Sequence, residues 1–249
     1  MKVLKSNTYL TSGTDWYKPV LAGAGTLQHF IFNKSVYSEY MRILKMLQVD
    51  DYAEFLNCFI EKGLKTYGHY WKYADICTTL LGLSKKLQPR SYLEIGVRRG
   101  RSMAMLASQC PSTTIVGFDM WQQNYAGMEN PGPQFVKTEI QHLGHTGTLE
   151  LISGNSHNTV PAYLDENQNM YFDFITVDGD HTEKGAALDL ETVLPRLAIG
   201  GVIIFDDIVH PKHPYLIDVW NSTVKNKKDL STFEFTELGY GVAFGIKIS

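Results

Sequence analysis

The chain has 249 residues, of which 44% are hydrophobic and 20% charged, a globular balance that excludes a disordered or fibrous chain and allows one large domain or a domain with an appended cap. A net charge of −3 gives no basic balance for nucleic acid or an anionic membrane, so small molecules are the expected partners. No apolar run approaches the roughly 18 residues of a membrane span, and the opening MKVLKSNTYLTSGTD lacks an apolar signal core, which argues against membrane insertion and secretion.

Residues 1–36 scatter Gly13, Gly23 and Gly25 among aromatics and read as an irregular arm ordered by tertiary contacts. The segments SVYSEYMRILKMLQ, DDYAEFLNCFIEKGL and HYWKYADICTTLLGLSKKL carry apolar and aromatic residues at three-and-four spacing, which predicts helices over 35–87. Arm and helices together form an N-terminal cap, residues 1–88. Cys58, Cys77 and Cys110 are odd in number and widely spaced, as expected of buried reduced thiols in a cytoplasmic protein.

After Pro89 the character changes. The runs SYLEIG, TTIVGFD, LELIS, YFDFITVD and GVIIFDD alternate with helical patterns that begin near Ser102, Pro133, Asn158, Thr182 and Pro214. That alternation predicts right-handed crossovers and a parallel sheet covered on both faces. TFEFTEL and YGVAFGIKI leave no room for a helix around Gly239 and are expected to pair antiparallel. The expected fold is therefore α/β: a doubly wound, seven-stranded, mostly parallel sheet with an antiparallel terminal hairpin over residues 89–249, plus the helical cap.

In such sheets ligands bind beyond the carboxyl ends of the strands, where turns and helix amino termini converge. The first turn is EIGVRRGRS, in which Gly96 and Gly100 let a ligand come against the backbone. Its G-x-x-x-G departs from the G-x-G-x-x-G of dinucleotide sites. Glu94 would repel a diphosphate there, yet suit an amino group or a cationic cofactor. Asp119 ends the second strand 23 residues beyond Gly96, near the spacing at which a carboxylate accepts from ribose hydroxyls. Alone, these residues fit a structural tight turn equally well.

With the later motifs the sequence resembles the class I methyltransferases that use S-adenosylmethionine. YLEIGVRRGRS is similar to their first motif, VGFDMW to the ribose-binding second, and SGNSHN, residues 153–158, to the adenine-side turn; VDGDH and FDDI complete the order over roughly residues 91–208. The resemblance implies a Rossmann-like sheet, with Glu94, Gly96 and Gly100 at the methionine end of the cofactor, Asp119 on the ribose, and Asn155, Ser156 and His157 flanking adenine. Ser156 also reads as a helix N-cap. Arg98, Arg99 and Arg101 form either a solvated basic loop or a set from which one binds a carboxylate of cofactor or substrate.

Two strand ends are acidic. FITVDGDH and GVIIFDDI place Asp178 and Asp206 28 residues apart, with Asp207 following, and neighbouring strands would bring the three to one crevice. Like charges stay ionised there only if a cation neutralises them, and an all-oxygen set favours Mg²⁺ over zinc. Singly, Asp207 or Asp180 reads as a turn cap. The pattern is similar to that of metal-dependent small-molecule O-methyltransferases, including catechol and macrocin-type sugar O-methyltransferases. Their D-x-x-H is matched by Asp178 and His181, and their acidic pair by Asp206 and Asp207.

That resemblance implies methylation of a hydroxyl on a small metabolite or natural product, with S-adenosylmethionine and Mg²⁺ as cofactors. Asp178, Asp206 and Asp207 would hold the metal, and Asp178 and His181 would be catalytic. An imidazole of ordinary pKa, about 6.5, suits proton removal. Asp180 is expected outside the metal's contacts, while His210 and His213 either reach substrate or pack where the next helix begins.

Cephalosporin hydroxylase-like proteins resemble the same pattern, so oxygenation on this fold is an alternative. A non-catalytic nucleoside-binding module is another, and NAD-dependent oxidoreduction ranks last because the glycine fingerprint differs. Trp16, Tyr17, Phe30, Phe32, Tyr37, Tyr40, Tyr70 and Trp71 either close over an apolar or sugar-bearing acceptor or pack between helices. Residues 120–133 are a second lid candidate, and a homo-oligomer is compatible with the resemblance.

Overall fold

The computed structural model describes residues 22–124, 127 and 129–249. Seven strands, β1 Ser91–Ile95, β2 Thr114–Asp119, β3 Leu149–Ser153, β4 Phe172–Val177, β5 Leu197–Asp206, β6 Leu230–Phe235 and β7 Val242–Lys247, form one sheet in the order β3-β2-β1-β4-β5-β7-β6. The first five run parallel, and β7 lies antiparallel to both β5 and β6. The expected doubly wound sheet and terminal hairpin are both present.

Strand periodicity divides the core in two. Tyr92, Phe174, Ile204 and Phe244 join one apolar cluster, while Leu93, Ile95, Ile175, Ile203 and Phe205 join the other. Every residue of β4 is buried, as a central strand covered on both faces requires. Helices α2 Lys34–Met46, α3 Asp51–Tyr67, α4 Ile76–Leu87, α5 Arg101–Gln109 and α6 Pro133–His142 supply the first cluster. The opposite face is covered by α7 Ser156–Glu166, α8 Glu183–Val193 and α9 Leu216–Trp220.

The helices before β1 therefore share a core with the sheet. Tyr37 ties their connections together: its hydroxyl donates to Tyr73 O and accepts from Tyr73 N, both at 3.0 Å. Phe32 packs on Phe233 and Phe235 of β6. Tyr37, Tyr40 and Trp71 are buried, so core packing accounts for them, whereas Tyr70 projects into solvent.

Three details differ from the sequence reading. A short helix, α1 Ala24–Leu27, and a 3-10 turn at Gln28–Phe30 stand within the stretch read as irregular. Tertiary contacts order them, because Ala24, Leu27 and Ile31 are buried and Ala24 N donates to Ser231 Oγ at 3.0 Å. Cys58 is exposed, since it falls on the outer side of α3; Cys77 and Cys110 are buried, and all three are free thiols. Asn155, rather than Ser156, is the N-cap of α7, its side chain accepting from His157 N. Gly13, Trp16 and Tyr17 of the arm, and Tyr125, Ala126 and Met128 of the second lid candidate, lie outside the described residues. Among the described residues no helix is long and apolar enough to cross a membrane.

Candidate active site

The chain runs from β1 outward to β3, then returns to β4 on the other side of β1, so the order switches between β1 and β4. A crevice opens at the carboxyl ends of strands at such a point. Asp178 follows the last residue of β4, and Asp206 is the last of β5, the next strand along.

Asp178, His181 and Asp207 converge: one ligand atom from each lies within 4.8 Å of the others. His181 Nε2 is 3.1 Å from Asp178 Oδ1, and His181 Nδ1 is 3.7 Å from Asp207 Oδ2. Asp207 has a positive φ of 60°, a conformation Asp tolerates better than most residues, and this turns its side chain back toward β4. Asp206 stands beside this trio without joining it.

The electrostatics follow from crowding. Burial, then the charges of Asp178, Asp207 and Asp75, push the Asp206 carboxyl well above the usual range. Burial and Asp178 lift Asp207 to about 7, with His181 pulling the other way. Burial works to lower the His181 pKa, but the Asp178 hydrogen bond and the charges of Asp178, Asp207 and Asp180 outweigh it and leave it raised. His210 and His213 are lowered by burial and by neighbouring cationic groups. Their rings pack beside His181 and Tyr240, and Tyr215, which hydrogen-bonds His213, donates its hydroxyl to His181 O at 2.9 Å.

The glycine turn is held by this neighbour strand. Gly96 has φ 90°, and a Cβ there would lie 1.9 Å from Asp178 O, so the bare α-carbon admits the exit of β4. Gly100, φ 70°, is the N-cap of α5 and faces Val136. Glu94 is wholly buried beneath the turn, accepting from the Tyr92 and Ser102 hydroxyls, and burial pushes its pKa to about 8. Asp119 accepts from Arg98 N at 2.7 Å, from Trp121 N, and from Asn130 Nδ2 at 3.3 Å.

On the turn after β3 the three sequence candidates have local tasks. Asn155 caps α7, Ser156 hydrogen-bonds Asp189, and the His157 ring points toward α8, with Nε2 3.6 Å from Asp189 Oδ1 and 3.7 Å from Asp180 Oδ2. Asp180 also accepts from Thr182 N at 2.8 Å, the local turn contact expected of it.

Two contributors escaped the sequence reading. Asp75, the N-cap of α4, accepts from Thr78 N at 2.7 Å and from the Tyr40 and Tyr73 hydroxyls, and adds a fourth carboxylate beside Asp206. Its one sequence signal, D-x-x-T before an apolar run, reads as a cap alone. Tyr52 of α3 feels Asp206 and Asp207 as well, and burial lifts its hydroxyl well above the ordinary value. The cap thus forms one wall of the crevice.

Residues 93–208 match the family described as a methyltransferase domain. A protein of Sinorhizobium fredii, uncharacterized protein y4gI, is 28% identical over 140 residues, 54% of this chain and 14% of that relative's length. Among solved structures, the O-methyltransferase TomG of Streptomyces achromogenes, involved in tomaymycin synthesis, is 18% identical with a TM-score of 0.55; the match covers 87% of this chain and 91% of that one. CalS11, a TDP-rhamnose 3'-O-methyltransferase of calicheamicin biosynthesis, is 20% identical with a TM-score of 0.53, covering 86% and 93%. At such identities the likeness is one of fold. Over residues 93–208, which run from within β1 to just past the acidic end of β5, the chain is similar to a methyltransferase domain, and its seven-stranded sheet shares the fold of these solved methyltransferases.

Proposed function

We propose that this protein is an S-adenosylmethionine-dependent O-methyltransferase, assisted by a hard divalent ion, that acts on a hydroxyl of a small metabolite or natural product. The observation that carries the reading is the convergence of Asp178, His181 and Asp207 at the switch point of a methyltransferase sheet. The residues fit Mg²⁺: Asp178 and Asp207 offer hard oxygen donors close together with Asp206 beside them, and carboxylates so placed favour a divalent counter-charge. They fit the cofactor too, because Asp119 lies at the end of β2 with its carboxylate aimed at the turn after β1.

When bound, S-adenosylmethionine supplies an electrophilic methyl group and the ion lowers the pKa of the acceptor hydroxyl. Asp178 receives Nε2–H of His181, which orients the ring and leaves Nδ1 free to take a proton. The 3.7 Å between Nδ1 and Asp207 Oδ2 is too long for a hydrogen bond, so Nδ1 is not committed to that carboxylate. Nδ1 would take the hydroxyl proton and Asp178 would stabilise the resulting imidazolium, while the cofactor would supply the methyl group, its C–S bond breaking with the electron pair left on a neutral thioether sulfur.

The test is transfer of label from radiolabelled S-adenosylmethionine to a panel of catechols and nucleotide sugars, with EDTA or Mg²⁺ and with Asp178→Ala as control. Transfer abolished by EDTA and restored by Mg²⁺ is expected. Transfer indifferent to chelator removes the metal role, and products that gain oxygen in place of methyl overturn the reaction class.

A further inference from the structure

The turn after β1 contains three basic residues around Gly100, Arg98, Arg99 and Arg101, and the structure gives them different tasks. Arg99 is buried and ion-paired with Glu129 at 2.9 Å and Asp50 at 3.3 Å, and its guanidinium lies 4.7 Å from the Phe135 ring centroid. Arg101 pairs with the same Asp50 and lies over Tyr52. Both brace the cap against the sheet.

Arg98 differs. Its Nε and Nη2 are buried and have no hydrogen-bond partner among the described residues. Those two nitrogens form the side-on edge of a guanidinium, whose parallel N–H groups match the two oxygens of a carboxylate. A desolvated donor without a hydrogen-bond partner is costly, and a desolvated cation more so, so this edge of the guanidinium lacks an acceptor. Asp119 fixes the backbone here by accepting from Arg98 N, and φ is 52°, a strained value for arginine. The Asp178 and Asp50 charges favour the cationic form, while burial and Arg101 oppose it. Gly96, two residues earlier, meets Asp178 backbone to backbone, so Arg98 leaves the glycine turn beside the exit of β4. The residue as a whole is half-buried, and engaging a ligand requires its side chain to turn that edge outward.

We infer that Arg98 is the receptor for a ligand carboxylate in this crevice, engaging it side-on through Nε and Nη2. The assignment rests on the methyl-transfer reading. Two sources supply that chemistry: the aminoacyl end of the cofactor and an acid group on the acceptor. The cofactor is the nearer source, because the backbone of the same residue is anchored to Asp119.

The experiment is calorimetric titration of wild type, Arg98→Gln and Arg98→Lys with S-adenosylhomocysteine and its decarboxylated analogue. A second arm titrates 3,4-dihydroxybenzoate and 3,4-dihydroxybenzamide in the presence of Mg²⁺, and unfolding midpoints without ligand serve as the folding control. Wild type should prefer the carboxylated cofactor by roughly 10- to 100-fold. Arg98→Gln should bring that ratio near one, and Arg98→Lys, which keeps the charge but not the fork, should fall between. Loss of preference only for benzoate over benzamide assigns the acceptor as the source. Equal weakening toward all ligands, or unchanged ratios in both arms, overturns the inference. Failure of wild type to bind either cofactor form overturns the inference and the methyl-transfer reading together, whereas binding with no Arg98 effect overturns the inference alone.

Discussion

Gly96 and Asp178 meet backbone to backbone: the α-carbon of the first faces the carbonyl oxygen of the second, and Asp178 N donates to Ile95 O at 2.8 Å. The backbone that carries the first carboxylate of the crevice is thus positioned by the glycine that follows β1. Gly96→Ala would place a methyl 1.9 Å from that oxygen, at a φ of 90° that alanine resists. The expected loss is about 3 kcal/mol or more of stability, with β4 displaced from the turn. Chemical denaturation measures the first, and methyl transfer, which should fall with it even at saturating cofactor, measures the second.

His181 and Asp178 should separate in kinetics. His181→Gln removes the proton acceptor and should lower kcat by about 100-fold or more with little change in cofactor affinity. Asp178→Asn should lower the rate as well and blunt its response to Mg²⁺. In wild type the raised His181 pKa holds the ring protonated at mildly acidic pH, so activity should climb as pH rises past the ordinary histidine value. A pH profile of kcat at saturating Mg²⁺ checks the direction.

Stability should run the opposite way. Asp207, at about 7, and Glu94, at about 8, both lie above their unfolded values, so each favours the fold when protonated. That contribution is complete below the unfolded pKa of about 4 and is lost as pH rises through about 7 and about 8. Asp206 acts in the same sense. Thermal melts in EDTA should therefore show Tm falling across this window, with Mg²⁺ reducing the fall. Asp207→Asn should flatten its lower part and Glu94→Gln its upper part. A Tm that rises through the window would contradict the crowding.

Asp75 should prove structural first. Asp75→Ala removes the α4 cap and leaves the Tyr40 and Tyr73 hydroxyls without their acceptor, at a cost of about 2 kcal/mol or more. Asp75→Asn keeps an acceptor and removes the charge beside Asp206, so its denaturant midpoint should lie closer to wild type.

What could be read in the sequence was local. Asp178, His181 and Asp207 fall within a few residues of strand ends, so strand order alone brings them together, and the alternation of FITV with helical patterns implies that order. Glu94 shows where local reading stops. Its place before a glycine turn is visible, but only the period of β1 puts it beneath α5, sealed by Ser102 and Tyr92. Asp75 stops it differently, since a capping aspartate looks alike whether or not it faces another carboxylate across the core. Ala24–Leu27 is helical because β6 lies beneath it, a contact more than two hundred residues away in the chain.

The helices that precede β1 are not an ornament on a finished sheet. Leu80, Tyr37 and Leu27 occupy the same apolar cluster as Phe174, Ile204 and Phe244. Excising them would strip one side of the central strands to water and unmake the pocket along with its roof. Evolution of a new acceptor preference in this protein must therefore proceed by repainting the roof's inner surface in place, because exchanging the roof wholesale would dissolve the floor.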